Sequence, residues 1–242
     1  MKKTILLFFT MALLGSSQAG AQSLAVYGTS GPYGPIGECA QLFSDENDVQ
    51  VQVTSAARGE WMKEALEKAD LIFEAAEYTM DEFIQKNPGF IDTRYRYSLG
   101  VRPSGILVRP NNPKRIRKLA DLYNPGIKVM VVAGGGQTGI WEDMAARKGD
   151  ISTLRKNVTA IAADENEAIR IWKESKELDA WITWESWHYR LKTITEFVPV
   201  AENIRVYRST PIAITTRSQN KELSFKFVTF MQSDKAQEVF KK

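Results

Sequence analysis

The chain predicts an α/β architecture with parallel sheets, and three observations carry that reading. Short β-rich runs alternate with stretches of helical period from Leu24 to Gln232. Lys128 to Ala133 is a continuous apolar run bounded by turn residues, the pattern of a buried strand. The composition, 43 % hydrophobic and 25 % charged, is that of a globular chain and excludes disordered, collagen-like and disulfide-scaffold classes.

Taken in order, Leu24 to Tyr27 reads as a strand ending at Gly28, and Cys39, Leu42 and Phe43 lie on one face of a helix. Val49 to Val53 carries β-branched residues at alternate positions, which suits a strand. Gly59 to Lys68 has the helical spacing Trp61, Ala65, Leu66, Ala69, and it runs into the strand Leu71-Ile72-Phe73. A long strand extends from near Tyr95 to Val108. Further strands are expected at Thr159 to Ala162, Ala180 to Trp184 and Arg205 to Thr216, with helices at Gly139 to Arg147, Glu165 to Lys176 and Leu223 to Gln232. The basic run Lys114 to Lys118 reads as the solvated face of a short helix. The long extended stretches Tyr95 to Arg109 and Arg205 to Arg217 leave two organisations open: one doubly wound sheet, or a chain that passes between two lobes and returns.

The first residues form a separate unit. Lys2 and Lys3 precede the apolar stretch Ile5 to Leu14, and Ala19-Gly20-Ala21 supplies an A-x-A-like cleavage signal before Gln22. This is the pattern of a cleavable signal peptide over residues 1–21, so the mature protein is expected to be exported. The apolar run is too short to span a bilayer, and no second one follows, so no membrane span is expected in the mature chain. Two lysines and no acid leave with that segment, which lowers the formal charge from +3 to +1. A nucleic-acid binder needs a concentrated basic surplus, so nucleic acid is not an expected partner. Cys39 is the only cysteine and is read as a buried, inert thiol.

Candidate binding residues gather at strand-to-helix junctions. After the first strand, Gly28-Thr29-Ser30-Gly31-Pro32 can aim backbone N–H groups and two hydroxyls at an anion, or can serve only as a tight turn. In Ser55-Ala56-Ala57-Arg58 the arginine can pair with a carboxylate or phosphate. Gly134-Gly135-Gly136-Gln137-Thr138-Gly139 matches G-x-G-x-x-G between strand and helix. No acid follows on a strand about 20 residues later, so a dinucleotide is not implied. No lysine follows the last glycine, so a P-loop is excluded as well. What remains is a flexible loop presenting N–H groups to a small anion. Five of the six tryptophans fall between Trp141 and Trp187, and in Ala180-Trp181-Ile182-Thr183-Trp184 alternate residues face opposite sides of a strand, one toward the core and one toward a cleft.

Catalytic chemistry is poorly represented. His188 is the only histidine and has no nucleophile elbow beside it; one histidine and one distant cysteine cannot hold zinc. No enzyme activity, cofactor or metal is expected.

Gly139-Ile140-Trp141-Glu142-Asp143-Met144 with Arg147, Asp179 to Trp184 with Trp187, and Val206-Tyr207-Arg208 resemble the accessory colonization factor AcfC family of bacterial periplasmic binding proteins. Tyr27-Gly28, Gly31-Pro32 and Ala69 to Phe73 also fit that pattern, and the layout is more remotely similar to molybdate- and sulfate-binding proteins of ABC importers. The resemblance implies a two-lobed type II periplasmic-binding fold, each lobe a mixed sheet flanked by helices. It assigns residues 22–102 plus 206–242 to lobe one and 103–205 to lobe two. A small anion, either an oxyanion or a phosphorylated or carboxylated metabolite, is then clamped between them. Ser30 and Gly31, with Thr29, would face Thr138 and Gly139; Arg58 or Arg102 would supply charge; Trp184 would form a wall. The hinge would lie near Arg102 and Arg208. The partner would be an ABC permease, or in the alternative reading a host surface or a chemoreceptor.

Overall fold

The computed structural model of the protein describes residues 22–240; the expected signal peptide, residues 1–21, lies outside the described residues, as do Lys241 and Lys242. The chain begins with β1 (Ser23–Thr29), α1 (Tyr33–Asn47), β2 (Gln50–Ala56), α2 (Arg58–Lys68), β3 (Leu71–Phe73) and α3 (Glu77–Lys86). The long β4 (Ile91–Val108) leads through a 3-10 turn, Leu119–Tyr123, to β5 (Val129–Val132), α4 (Ile140–Ala146), α5 (Ile151–Asn157), β6 (Val158–Ala162) and α6 (Glu165–Glu174). Then come β7 (Ala180–Trp184), α7 (Ser186–Leu191), β8 (Glu196–Pro199), β9 (Tyr207–Thr215), α8 (Lys221–Met231) and α9 (Asp234–Phe240).

The local reasons are mostly those read from the residues. In α1, Ile36, Cys39, Ala40 and Phe43 are buried at helical spacing. Asp164 caps α6 by accepting from the Glu167 N–H at 2.9 Å, and Asp150 caps α5 in the same way. The other end of α6 is closed from outside: Arg109 donates to the carbonyls of Trp172 and Leu178, each at 2.8 Å, while its guanidinium lies 3.7 Å from the Trp172 ring centroid.

Several elements depart from expectation. Lys114 to Lys118 is not helical; Asn112 holds it as a turn, its amide bonded to the backbone of Ile116 in both directions. That leaves Ile116 fully buried in a run of charged neighbours. Strand β4 starts four residues before the expected Tyr95, and α3, α7, β8 and α9 carry no signal strong enough to have been read.

The sheets are mixed rather than parallel. The order is β2-β1-β3-β9-β4-β7-β5-β6, with β8 also paired to β4. Pairs β1–β2, β1–β3, β5–β6 and β5–β7 are parallel, whereas β4 and β9 run antiparallel to each other. The reason is topological. Strand β4 carries the chain out of the first lobe and β9 brings it back alongside, so the two must run in opposite directions. The N-terminal part of β4 pairs with β9 in one sheet; its last residues, Ser104 to Val108, pair with β7, and β8 covers most of the same stretch.

Burial divides along the same line. One apolar core draws its residues from Ile106 to Val206. Two others take residues from Leu24 to Leu99 and from Ile212 to Val239. The molecule therefore has a two-lobed, type II periplasmic-binding architecture, and the C-terminal ends of its parallel strands open toward the junction of the lobes, where α/β folds place ligands.

Candidate functional site

Arg102, at the point where β4 leaves the first lobe, organises the junction. Its guanidinium lies 4.9 Å from the Trp184 ring centroid, a cation–π contact worth about 2 kcal/mol when desolvated. It also donates to the carbonyl oxygen of Ala75, in the loop after β3. Burial pulls the Arg102 pKa down to about 10, against the opposing pull of Glu165 and Tyr78. Even so the side chain stays cationic at neutral pH, and its Nε has no hydrogen-bond partner.

Glycines let the two lobes meet. Gly136 adopts φ +79°, and a Cβ there would stand 2.6 Å from the Ala75 oxygen. A Cβ on Gly135 would lie 2.2 Å from both carboxylate oxygens of Glu165, and one on Gly31 would lie 3.0 Å from Glu165 Oε1. Glu165, the first residue of α6, is thus held between a loop of each lobe, with Gln137 Nε2 at 3.5 Å. Burial raises its pKa above the usual carboxylate range, and Arg102 and Gln137 oppose the shift.

Around this junction, buried polar atoms lack protein partners. They include Thr29 Oγ1, Ser55 Oγ, Tyr78 OH, Gln137 Oε1, Trp184 Nε1 and Thr210 Oγ1. Ser55 sits opposite Gly28 at the C-terminal end of the β1–β2 pair. Thr210 and Arg102 line an interlobe cavity of about 250 Å³ together with Gly31, Trp187 and Arg190. Buried hydrogen-bonding groups are normally satisfied, so a cluster without partners calls for something to bind.

The residues singled out in the sequence divide into two sets. Gly31, Arg102 and Trp184 come together at the junction, and Thr29 stands at the end of β1 with its hydroxyl unpaired. Trp184 is fully buried and covered by Arg102, and its unpaired indole N–H makes it more than an apolar wall. The rest are engaged elsewhere. The Ser30 carbonyl accepts from Tyr33 N–H at 3.2 Å, a turn bond that does not use the Ser30 hydroxyl. The Thr138 hydroxyl donates to the Ala133 carbonyl at 2.6 Å, and Gly139 caps α4 in the left-handed region. Arg208 pairs with Asp143 at 3.1 Å.

Arg58 meets a carboxylate of the protein itself: its Nη2 is 2.7 Å from Glu74 Oε1, and it also donates to the Thr79 carbonyl. Glu74 is fully buried, its Oε2 has no partner, and desolvation pushes its pKa up to about 7 in spite of Arg58. His188 shares a hydrogen bond of 3.2 Å with Thr195, a structural setting. Among the described residues, no group of three or more His, Cys, Asp or Glu side chains could hold a metal ion, and no helix is long and apolar enough to cross a membrane.

Tyr78, Gln137, Glu165 and Thr210 were not singled out. Gln137 lay inside the glycine-rich junction, but only glycines and hydroxyls carried an anion signal there. Glu165 stood only as the first residue of an expected helix, where an acid suits the dipole of any helix.

Comparison with solved structures gives close fold matches. L-phospholactate-bound PEB3 aligns at TM-score 0.81 and 27 % identity, over 90 % of this chain and 96 % of that one. Peb3 from Campylobacter jejuni aligns at 0.80 with the same identity and coverage. The sulfate-binding protein SubI from Mycobacterium tuberculosis H37Rv aligns at 0.73 and 19 % identity over 90 % and 84 % of the two chains. The substrate-binding domain of a putative molybdenum ABC transporter from Clostridium difficile aligns at 0.72 and 14 % over 91 % and 96 %. The last two likenesses concern the fold alone. No curated protein sequence matches the chain. Residues 24–242 match the family model described as bacterial extracellular solute-binding protein, and the chain belongs to that family.

Proposed function

We propose that this protein captures a small anion between its lobes and holds it by hinge closure. The observation that carries the reading is the cluster of buried, unpartnered donors drawn from both lobes around the cationic Arg102. An anion's oxygens would satisfy them, whereas leaving them dry and unpaired is costly. The proposed lobes are residues 22–102 plus 206–242 and residues 103–205. Proposed ligand contacts are Thr29, Ser30, Gly31, Arg102 and Trp184, joined by Ser55, Tyr78 and Thr210. Thr138 and Gly139 shape the facing loop, Arg208 acts at the hinge, and Arg58 acts through Glu74.

The bound PEB3 relative favours a phosphorylated or carboxylated metabolite as the ligand. Membership of the AcfC group, export to the periplasm and delivery to an ABC permease complete the proposal. Permease and ATPase genes beside this one would support uptake, and their absence would favour adhesion or chemosensing. Calorimetry with sulfate, phosphate, simple carboxylates and L-phospholactate tests the central claim. Saturable binding of at least one, weakened in an Arg102→Ala variant, is the expected result; no heat from any of them would overturn it.

A further inference from the structure

The basic run from Arg109 to Lys118 has no part in the cleft. It holds five cations and no acid, so the rest of the expected mature chain, which carries +1 in all, is net negative. The fold puts this run at the end of lobe two that lies away from the lobe junction. It leaves β4 at Val108, which pairs with the first residues of β7 and β8, Ala180 and Glu196. It enters β5 at Val129, which pairs with Ala180 and with Val158, the first residue of β6. That end therefore gathers the starts of four strands, opposite to the strand ends that face the cleft.

The run is firmly held, yet its outer cations are unpaired. The Asn112 amide clamps the Ile116 backbone at 2.7 and 3.0 Å, and Ile116 is fully buried. The Asp121 carboxylate accepts from the N–H groups of Arg117 at 2.7 Å and Lys118 at 3.2 Å. Lys114, Arg115, Arg117 and Lys118 are all exposed, and among the described residues none has a side-chain hydrogen bond or ion pair. Lys156, just before β6, and Lys192, shortly before β8, stand at the same end, also exposed and unpaired. The acids there are committed: Glu196 accepts from the Asn111 N–H at 2.6 Å, Asp179 from the Lys128 N–H at 2.9 Å, and Glu177 pairs with the Lys128 ammonium.

We propose that this end of lobe two is a docking surface for an anionic phospholipid bilayer, which it meets through the lipid phosphates with the cleft left free. The kind of partner follows from what surrounds the cations. Protein interfaces are built around an apolar and aromatic core. Among the described residues the exposed large hydrophobics all lie outside this end of the lobe, and Ile116 faces inward. Single-stranded nucleic acid is held by aromatic faces set among the cations, and the basic run contains no aromatic residue. A bilayer asks only for a fixed set of unneutralised cations within a Debye length, about 8 Å at physiological salt. The net negative remainder of the chain is repelled by the same surface, which turns the basic end toward it. The proposed export sets the mature chain beside such a bilayer, and the inference is otherwise independent of what the cleft binds.

The test is co-sedimentation of residues 22–242 with vesicles of equal parts phosphatidylglycerol and phosphatidylcholine, against vesicles of phosphatidylcholine alone. Each lysine or arginine held at an anionic surface raises partitioning by about fivefold, so the anionic vesicles should be preferred by at least about 100-fold at low salt. About 0.5 M salt should abolish the preference. Lys114→Gln combined with Lys118→Gln should cut partitioning by about 10- to 30-fold. Lys68→Gln combined with Lys226→Gln removes the same charge from exposed positions of lobe one and should change it by less than about twofold. Both double variants should melt as the wild type does. Equal losses in the two double variants would show that net charge and not this surface governs binding, which overturns the proposal. Wild-type partitioning that does not distinguish the two kinds of vesicle overturns it as well, and retention on immobilised heparin without vesicle binding does so in favour of a polyanionic chain.

Discussion

Ser104 and Val206 are bonded to each other twice: the Ser104 N–H donates to the Val206 carbonyl at 2.8 Å, and the Val206 N–H donates to Ser104 Oγ at 2.9 Å. Ser104 lies on β4 and Val206 immediately precedes β9, the two strands that cross between the lobes, and the residues are 102 positions apart in sequence. The crossings are therefore cross-linked beside the proposed hinge, and both residues are buried. Ser104→Ala leaves the Val206 N–H buried without an acceptor, a loss of about 1–3 kcal/mol. Urea unfolding should report that loss as a lower midpoint at unchanged slope.

The proposed closure depends on Gly136 as much as on the hinge. Gly136→Ala places a methyl against the Ala75 oxygen of the facing lobe and forces φ +79° on a residue with a Cβ. The backbone penalty alone is about 1–2 kcal/mol. Small-angle scattering should show a larger radius of gyration than wild type in saturating ligand, with the far-ultraviolet spectrum unchanged.

Arg102→Lys keeps the charge but gives up the planar stacking on Trp184 and the fixed donor fork. Affinity for a bound anion is expected to fall by about 10- to 100-fold, with a smaller loss in melting temperature. A variant that binds as tightly as wild type would show that charge alone suffices there.

Glu74 links stability to pH. Its folded pKa is raised to about 7 from the ordinary 4.5, because complete burial outweighs an arginine that reaches only one of its oxygens. Between those values the folded state holds a proton that the unfolded state has released. Stability should therefore fall as pH rises from about 4.5 to about 7 and level off above, by at most about 1.4 kcal/mol per pH unit. Glu74→Gln should flatten that slope in denaturant titrations across the range.

Cys39 is fully buried, and desolvation pushes its thiol up to about 12. It should resist thiol reagents in the native protein and react stoichiometrically once unfolded. Rapid native labelling would mean that α1 opens locally.

Some of the architecture was legible because its signal is local. The run Lys128 to Ala133 has the pattern of a buried strand, and α2 showed its face through residues three and four apart. Strand β8 and helices α7 and α9 are short, and tertiary contacts outweigh propensity in them. The charged run at Lys114 misled for a related reason: one buried isoleucine and one asparagine amide outweigh its helix propensity.

At the candidate site, residue type alone pointed to the glycine-rich strand-to-helix junctions and the tryptophan-rich block, while the roles of Arg58 or Arg102 and of Trp184 came from the family resemblance. It could not point to Glu165 or Thr210, which are ordinary acids and hydroxyls until a second lobe closes over them. By itself, then, the amino-acid order determined an α/β chain with one inert thiol, little net charge and flexible strand-to-helix loops, all set by short-range pattern and composition. Which of two organisations those elements take, which arginine faces the junction and which is spent on Glu74, and that a carboxylate stands among the donors were decided only by tertiary structure. The reason is physical: desolvation and hydrogen-bond satisfaction depend on groups far apart in the chain, and no local pattern records which of them will share a dry space.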